Sequence, residues 1–233
     1  MKGKNMKTVL VTGCAGFIGW KVSEQLLGKN ISVIGIDNIN DYYDPKLKDW
    51  RLANLKTKGE HTKANGNAEF TFHRCDISSF DAVKAVFSSG SIDAVINLAA
   101  RAGVRASVED PWIYLDTNTK GTLNLLACCK DFGVRKFVLA STSSLYGFNK
   151  MPFRETDSTD TPLAPYSATK KGAEALCYSY HYLYNIDISI PRYFTVYGPA
   201  GRPDMSIFRF IKNIYEGKPI EVFGDGRQKR DFT

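Results

Sequence analysis

The sequence has little of what marks secreted, membrane or metal-binding proteins. The N-terminal stretch MKGKNMKTVLVTG is basic, but its apolar part is short and turns to glycine, so we expect neither a signal peptide nor a membrane span. The chain has five cysteines without a CxxC pair and three histidines without ligand-like spacing to them. We therefore expect reduced thiols, a cytoplasmic location and no metal site.

Low-complexity tracts and internal repeats are also missing, which argues against a repeat architecture. Of the 233 residues, 43% are hydrophobic and 24% are charged, values of an ordinary globular protein rather than a disordered one. The formal net charge is +7, but the basic residues are scattered and no recognisable nucleic-acid-binding motif accompanies them. Anionic small molecules or plain solvated surface explain this charge, and we expect no nucleic-acid partner.

Short apolar runs alternate along the chain with stretches that can form helices. Continuous runs rich in Val, Ile and Leu are typical of strands buried on both faces of a parallel sheet. We therefore predict an α/β fold with a doubly wound parallel sheet. The predicted strands are 8–12, 31–36, 69–75, 93–99, 136–141 and 187–193, and a surface helix is predicted within an insertion over 38–67.

Three glycines follow the first predicted strand with the spacing GxxGxxG. Gly13, Gly16 and Gly19 let the backbone turn sharply and approach a pyrophosphate, and Phe17 and Ile18 begin a helix whose free N–H groups face that charge. The spacing differs by one inserted residue from GxGxxG, and a simple tight turn is the alternative. The strand before and the helix after favour a dinucleotide site in a Rossmann-type fold.

Asp37 and Asn38 end the second predicted strand, close to the expected distance downstream of the glycines. A carboxylate there accepts hydrogen bonds from the adenosine ribose and repels a 2′-phosphate, and Asn38 supplies no cation to reverse that preference. This pattern favours NAD over NADP as the cofactor. A capping or surface aspartate is the alternative.

The pattern YxxxK occurs three times, at 42–46, 146–150 and 166–170. The first copy contains Pro45 and the second Gly147, so neither suits a helix interior. In the third, Tyr166 and Lys170 lie on one helical face, one turn apart. The lysine ammonium and the positive nicotinamide of NAD⁺ favour phenolate, so we expect a lowered tyrosine pKa and a base for an alcohol. The alternative is an aromatic side chain beside a solvated lysine.

Four hydroxyl side chains, Ser141 to Ser144, follow the apolar run KFVLA. Ligands of parallel sheets bind beyond the carboxyl ends of the strands, so Thr142 is expected beside the cofactor and substrate. Its hydroxyl can share a hydrogen bond between Tyr166 and the reacting alcohol. Helix or turn capping is the alternative role and accounts for Ser141.

The segments TGCAGFIG, STSSLYG and YSATK together resemble the extended short-chain dehydrogenase/reductase superfamily, in its sugar-nucleotide epimerase and dehydratase branch. Further segments are similar to UDP-glucuronate 4-epimerases, namely DNINDYYDPKLK, NLAARAGVRASVEDPWIYLDTNTKGTLNLL and RYFTVYGPAGRPDM. The resemblance covers essentially the whole chain, and the combination is more specific than any single motif.

The resemblance implies roles for particular residues. It implies that Thr142, Tyr166 and Lys170 form a catalytic triad. It also implies cofactor contacts from Asp76 and Ile77 at the adenine and from Leu98, Ala99 and Ala100 along the cofactor. The family's substrate-facing positions match Arg105, Ser143, Ser144, Thr195, Arg202 and Arg230. Among these we expect Arg105, Ser143 and Thr195 near the sugar and Arg230 near the pyrophosphate.

The activity that the resemblance implies is C4 epimerisation of UDP-glucuronate to UDP-galacturonate, by transient hydride transfer to bound NAD through a 4-keto sugar. Dehydratases of this branch place Asp-Glu after the catalytic threonine, and UDP-glucuronate decarboxylases place a glutamate at the position of Ser144. Here both positions are serine, which suits a substrate with its own carboxylate because no like-charge repulsion arises. UDP-glucose/UDP-galactose 4-epimerases also lack those acids and are the alternative.

The resemblance also implies a division of the chain and a homodimer. We assign 1–197 to an NAD-binding Rossmann domain and 198–233 to a partial substrate-binding domain with a helix near 205–216 and a short strand PIEVFG. The family continues past RDFT, so we expect a truncated chain, and an inactive NAD-binding relative is a further alternative. Helices 112–130 and 166–184 are the expected dimer surfaces.

Overall fold

The computed structural model describes residues 7–222, 224–227, 229 and 231–233. The strands of its main sheet are β1 Thr8–Thr12, β2 Ser32–Asp37, β3 Phe70–Arg74, β4 Ala94–Asn97, β5 Lys136–Leu139 and β7 Asp187–Ser189. These six strands are parallel and lie in the order β3-β2-β1-β4-β5-β7. The chain builds outward from β1 in both directions, so a crevice opens where β1 meets β4 at the carboxyl ends of the strands. This confirms the predicted doubly wound α/β fold.

Helices cover both faces of this sheet. The predicted insertion helix is confirmed as α2, and the predicted helices near 166–184 and 205–216 are confirmed as α7 and α8. A π-helical stretch, Leu115–Lys120, joins α5 to α6. The helices are α1 Phe17–Gly28, α2 Pro45–Ala64, α3 Phe80–Ser88, α4 Ala106–Glu109, α5 Pro111–Tyr114, α6 Gly121–Phe132, α7 Pro165–Tyr184 and α8 Ser206–Tyr215.

The core consists of two apolar layers, one on each face of the sheet. Alternate residues of β1 enter different layers because successive strand side chains point to opposite faces. Leu10 packs in the layer with Leu125 of α6, whereas Val9 packs in the layer with Leu27 of α1 and Leu55 of α2. The sheet is therefore buried on both sides, as its continuous apolar strands predict.

The predicted strands 136–141 and 187–193 are each interrupted. β5 ends at Leu139 and β7 at Ser189, and a second sheet pairs β6, Ser141–Thr142, with β8, Arg192–Tyr193. Pro191 is the physical reason on the second strand, since it has no N–H for a ladder. Its carbonyl instead accepts from the Ser141 N–H at 2.8 Å. The break moves Thr142 out of the main sheet.

The predicted strand at PIEVFG is wrong over its described residues, 219–222, which are irregular and exposed. A strand needs a partner for its N–H and C=O groups, and this stretch pairs with none in the described structure. Residues 231–233 pair instead with the segment after β8. Thr195 donates to the Asp231 carbonyl at 3.3 Å, and Thr233 donates to the Thr195 carbonyl at 2.9 Å.

The sequence-based expectations about membrane spans, metal sites and cysteines concern features that are visible in the fold. Across the described ranges, no helix combines the length and apolar character that crossing a bilayer requires. The same residues contain no cluster of three or more His, Cys, Asp or Glu side chains able to hold a metal ion. All five cysteines are free and buried.

Candidate active site

A cavity of about 340 Å³ opens at the carboxyl edge of the sheet, where the strand order reverses. It is the crevice in which α/β proteins of this topology bind ligands. Within the described structure, the sequence-predicted site residues that line it come from eight separate stretches of chain. They are Gly13, Gly16, Phe17, Ile18, Gly19, Asp37, Asn38, Asp76, Ile77, Leu98, Ala99, Ala100, Thr142, Ser143, Ser144, Tyr166, Lys170, Thr195 and Arg202.

Two predicted substrate residues are not among them. Arg105 directly precedes the short helix α4, is exposed, and does not line this cavity. The chain turns at Gly103, whose φ is +107°, before it reaches Arg105. Arg230 lies outside the described residues. The roles of both residues stay predictions.

The glycine turn brings the backbone of β1 against that of β4. Gly13 has a φ of +66°, and a Cβ added to it would lie 2.9 Å from the Ala99 nitrogen. A Cβ on Gly19 would lie 2.0 Å from the Gly13 carbonyl oxygen, so any side chain there forces the turn apart. Since α1 begins at Phe17, its free N–H groups face the cavity beside this turn and suit a pyrophosphate.

Asp37 is held in place at the end of β2 by two backbone groups. One carboxylate oxygen accepts from the Ala15 N–H at 3.2 Å and the other from the Ile39 N–H at 2.8 Å. Burial raises the pKa of Asp37, and these hydrogen bonds together with the charge of Lys48 oppose that rise. The carboxylate therefore stands fixed at the cavity wall, as contacts to ribose hydroxyls require.

Asp76 and Asn38 form one unit rather than two separate contacts. The Asn38 amide donates to the Asp76 carboxylate at 2.8 Å, and Ser78 donates to it from its N–H at 2.9 Å and its hydroxyl at 2.7 Å. Burial acts to raise the pKa of Asp76, but these hydrogen bonds outweigh it and the pKa is lowered. The carboxylate thus stays ionised at the cavity wall.

Lys48, a residue of α2, also lines the cavity near Asp37 but was not among the residues predicted from the sequence. Its Nζ donates to the carbonyl and to the side-chain oxygen of Asn40, both at 2.8 Å. Burial lowers the pKa of Lys48, and the nearby Asp37 carboxylate opposes this. From the sequence, only Asn38 was identified as a neighbour of Asp37, and Asn38 carries no charge. In KLKDWRLANLKTKG nothing distinguishes this lysine from the exposed ones.

Thr142 and Tyr166 meet within the cavity. The Ser144 N–H donates to the Thr142 hydroxyl oxygen at 3.1 Å, which leaves the Thr142 proton for the Tyr166 oxygen, and the two side chains are hydrogen-bonded. The buried ring of Tyr114 packs edge-on against the Tyr166 ring at a centroid distance of 6.2 Å. The phenol is thereby oriented from two sides.

The expected lowering of the Tyr166 pKa is not found in the protein itself. Burial raises the pKa of Tyr166, and the Thr142 hydrogen bond and the charge of Arg202 only partly oppose it. Among the described residues, the cation that acts on this phenol is therefore Arg202, a residue far along the sequence, rather than the helical neighbour Lys170. Desolvation of the phenolate outweighs both favourable contacts.

Lys170 is buried one turn further along α7 and also lines the cavity. Burial lowers the pKa of Lys170 to about 8, and Cys177 and Glu174 oppose the fall. Glu174 in turn accepts from the Ser141 hydroxyl at 2.6 Å and from Arg192 at 2.8 and 3.0 Å. This carboxylate ties the helix of Tyr166 and Lys170 to β6 and β8.

Two arginines share one aromatic ring at the cavity wall. The guanidinium groups of Arg101 and Arg202 lie 5.6 and 5.7 Å from the ring centroid of Tyr42. The Tyr42 hydroxyl donates to the Ala102 carbonyl at 2.8 Å, and Arg202 also pairs with Asp204 at 3.0 Å. Tyr42 and Arg101 lie in two of the segments that resemble UDP-glucuronate 4-epimerases, but neither was predicted to be a site residue. Arg101 and Arg202 place positive charge at this wall, which suits an anionic ligand.

A doubly wound sheet with this glycine turn, and with a threonine, tyrosine and lysine converging beyond its strands, defines a dinucleotide-dependent enzyme of the short-chain dehydrogenase/reductase type. The chain belongs to the NAD dependent epimerase/dehydratase family, whose family model matches residues 9–233. NAD is therefore its cofactor, and the glycine turn, Asp37 and Asp76 fit that group.

The similar proteins include sugar-nucleotide epimerases. A UDP-glucuronate 4-epimerase of Thermodesulfobacterium geofontis is 63% identical over 96% of this chain and 67% of its own length. The crystal structure of Bacillus cereus UDP-glucuronic acid 4-epimerase with UDP-glucuronic acid and NAD has a TM-score of 0.85 at 40% identity, over 97% of this chain and 68% of that one. A Thermotoga maritima UDP-glucose 4-epimerase with UDP-glucose has a TM-score of 0.82 at 31% identity, over 97% and 68%.

Proposed function

We propose that this chain catalyses the C4 epimerisation of a UDP-sugar, UDP-glucuronate to UDP-galacturonate. The observation that carries the proposal is the joining, in one cavity, of the dinucleotide turn, the Thr142–Tyr166 pair and the Arg101–Tyr42–Arg202 group. The 63% identity to a UDP-glucuronate 4-epimerase supports the same substrate. The chain spans about two thirds of the length of that relative.

The residues around the crevice fit each part of NAD. The turn from Gly13 to Gly19 and the first N–H groups of α1 hold the pyrophosphate, and Asp37 holds the adenosine ribose. Asp76 and Ile77 lie at the adenine end. The chemistry that bound NAD would supply is reversible acceptance of a hydride from C4 of the sugar, with return to the other face and therefore no net oxidation.

Tyr166 acts as the proton acceptor and donor at the C4 hydroxyl. Thr142 donates its hydrogen bond to the phenolate, and the charge of Arg202 favours that form against the cost of burial. The same phenol returns the proton when the alcohol is formed again. The transfer is thus made by a group that its surroundings hold at the cavity wall rather than by solvent.

The sugar carboxylate is held by neutral donors and by arginine. Ser143, Ser144 and Thr195 are half-buried at the cavity wall and bring no negative charge, and Arg202 lies on the same wall. A 4-keto derivative of glucuronate is a β-keto acid that can lose CO₂. We infer that Ser143 and Thr195 hold the carboxylate so that its bond to the ring stays out of alignment with the carbonyl π system.

The test is to incubate the purified protein, after loading with NAD, with UDP-glucuronate and to separate the products by chromatography. Formation of UDP-galacturonate is expected, and Tyr166→Phe serves as the inactive control. A parallel reaction with UDP-glucose tests the second candidate, which the likeness to the Thermotoga maritima UDP-glucose 4-epimerase favours. A folded, NAD-loaded protein that converts neither sugar contradicts the proposal and leaves an NAD-binding role.

We also propose that the protein is a cytoplasmic homodimer whose interface is formed by α5, α6 and α7. Large apolar side chains stand exposed on these helices, among them Trp112 at 74%, Tyr178 at 71% and Tyr182 at 79%. Such a patch is typical of a surface that a second chain covers. The free, buried cysteines agree with a reducing compartment.

A further inference from the structure

Arg51, a residue of the inserted helix α2, is fully buried and reaches three separate segments of the chain. Its Nη1 donates to the Ala15 carbonyl at 3.0 Å and to the Tyr43 hydroxyl at 2.6 Å. Its Nη2 donates to the carbonyls of Ala200 at 2.6 Å and Gly201 at 3.3 Å. One guanidinium therefore joins the glycine turn to the loop that follows β8.

A buried guanidinium is a costly way to fill space. Its hydrogen-bond acceptors here are neutral carbonyl and phenol oxygens, and its Nε has no hydrogen-bond partner among the residues that the structure describes. An apolar side chain of similar volume avoids that desolvation cost and is often equally or more stabilising. Packing alone therefore does not account for arginine at this position. Its role is explained by the forked set of N–H donors, which hydrogen-bonds to both loops.

The two loops depend on Arg51 to different degrees. The glycine turn has its own bonds, from the Gly16 N–H to the Gly13 carbonyl at 2.9 Å and from the Ala15 N–H to Asp37 at 3.2 Å. Ala200 has a φ of +52°, a left-handed conformation that is unfavourable for a residue with a side chain. Throughout the described part of the chain, Arg51 is the hydrogen-bond donor to Ala200 and Gly201. Removal of Arg51 therefore releases the second loop more than the first.

Arg202 follows this loop directly and carries its guanidinium to the Tyr42 ring and to the neighbourhood of Tyr166. We propose that Arg51 is a positioning residue, whose fork fixes Ala200 and Gly201 against the nucleotide-binding turn and thereby sets the place of Arg202 in the cavity. The insertion between β2 and β3 thus takes part in substrate recognition through Tyr42 and Arg51. The structural half of this proposal is independent of the substrate, and its effect on substrate affinity rests on the proposed function.

Four variants distinguish the effect of the forked guanidinium donors of Arg51 from the effects of its charge and of its packing. Arg51→Met removes both the donors and the charge at similar length, and Arg51→Lys keeps the charge but not the fork. Tyr43→Phe leaves Arg51 in place and removes one acceptor, which provides a milder variant should the first two fail to fold. Lys56→Met, at an exposed lysine of the same helix, is the matched control for loss of charge.

Hydrogen–deuterium exchange measured by mass spectrometry on the protein without added ligand gives the first readout. Arg51→Met and Arg51→Lys are expected to speed exchange in the peptide covering 200–205 at least about tenfold, equivalent to ~1.4 kcal/mol of local opening. Exchange over 13–19 is expected to change much less. Tyr43→Phe is expected to speed exchange at 200–205 by a smaller factor. Lys56→Met is expected to leave the exchange rates of both regions unchanged.

Calorimetric titration with NAD and with UDP-glucuronate gives the second readout. Arg51→Lys is expected to weaken UDP-glucuronate binding by about tenfold while NAD binding changes by less than about threefold. Unchanged exchange at 200–205, equal loosening of both loops, or wild-type behaviour of Arg51→Lys overturns the positioning role. A different outcome is that the Arg51 variants speed exchange only at 200–205 while the wild type does not bind UDP-glucuronate. This outcome supports the positioning role and rejects the proposed function.

Discussion

At the scale of single residues, Tyr166 stands where burial and charge act in opposite directions. Its phenol is desolvated, which raises its pKa, while the Thr142 hydroxyl and the Arg202 guanidinium stabilise the phenolate. Replacement with phenylalanine removes the proton-transfer group and keeps the ring that packs against Tyr114. We expect Tyr166→Phe to lower the rate by about 10²- to 10⁴-fold.

The measurement is the initial rate of UDP-sugar conversion, with NAD binding and thermal unfolding recorded on the same sample. Tyr178→Phe, the same substitution at an exposed tyrosine of α7, is the control and is expected to keep the wild-type rate. Turnover that survives in Tyr166→Phe contradicts the assignment of the proton-transfer group.

Lys170 gives a prediction for the pH dependence of stability. Burial lowers the pKa of Lys170 to about 8, below its ordinary value of 10.5 in the unfolded chain. Between these two values the unfolded chain binds more protons than the folded protein, so this residue makes stability rise with pH from about 8 to about 10.5. Urea unfolding of the wild type and Lys170→Met at several pH values measures this effect. As the pH rises from about 8 to about 10.5, the unfolding free energy of the wild type is expected to increase relative to that of the variant. A difference that stays constant across this range contradicts the lowered pKa.

Thr195 gives a prediction about product identity. If its hydroxyl holds the substrate carboxylate out of alignment with the C4 carbonyl, Thr195→Ala is expected to raise the share of decarboxylated UDP-pentose among the products. Chromatography of the complete reaction measures this ratio, and Thr159→Ala, at a buried threonine that does not line the cavity, is the control. An unchanged ratio argues against this role for Thr195.

At the scale of elements, Glu174 joins α7 to the short strands that carry Thr142. Its pair with Arg192 is largely buried, and Ser141 donates to the same carboxylate at 2.6 Å. Neutralising one member of a buried pair leaves the other charge uncompensated, so Glu174→Gln is expected to cost up to ~3–5 kcal/mol in unfolding free energy. Urea denaturation measures this cost.

The matched control is Glu24→Gln, which removes the carboxylate of the exposed pair with Lys21. Exposed pairs contribute only about 0–1 kcal/mol, so the control is expected to be nearly neutral. Equal effects of the two substitutions mean that the Glu174 pair does not tie these elements together.

The elements that sequence patterns predicted best are those whose environment is uniform along their length. β1 is buried from Val9 to Thr12, and its predicted span, 8–12, is the observed one. The strands predicted over 136–141 and 187–193 failed in their second halves, since Pro191 cannot continue a ladder and the chain there moves to a second small sheet. Local apolarity describes burial well, but it does not say which neighbour a strand will find.

At the scale of the whole molecule, the exposed apolar side chains of α5, α6 and α7 predict association. Tyr178 and Tyr182 lie one turn apart on α7 and are each largely exposed. We expect the wild type to sediment as a dimer and the double substitution Tyr178→Lys and Tyr182→Lys to sediment as a monomer, because each lysine would bury an unpaired charge at the interface.

Phe148→Lys is the control, since it introduces the same charge at an exposed aromatic outside these helices. Sedimentation velocity over a range of protein concentrations distinguishes the species. A wild type that remains monomeric, or a double variant that remains dimeric, contradicts the proposed interface.

Sequence patterns were sufficient to predict those parts of the site that depend on residues close together along the chain. The glycine turn, Asp37 and the Tyr166–Lys170 spacing each follow from one strand, one turn or one helix, and all of these residues line the observed cavity. The tertiary structure alone decided which distant groups act on them: Arg202 on the Tyr166 phenol, Lys48 beside Asp37, and Arg51 between the two loops. Desolvation and electrostatic contact depend on distance in space, which local sequence patterns do not encode.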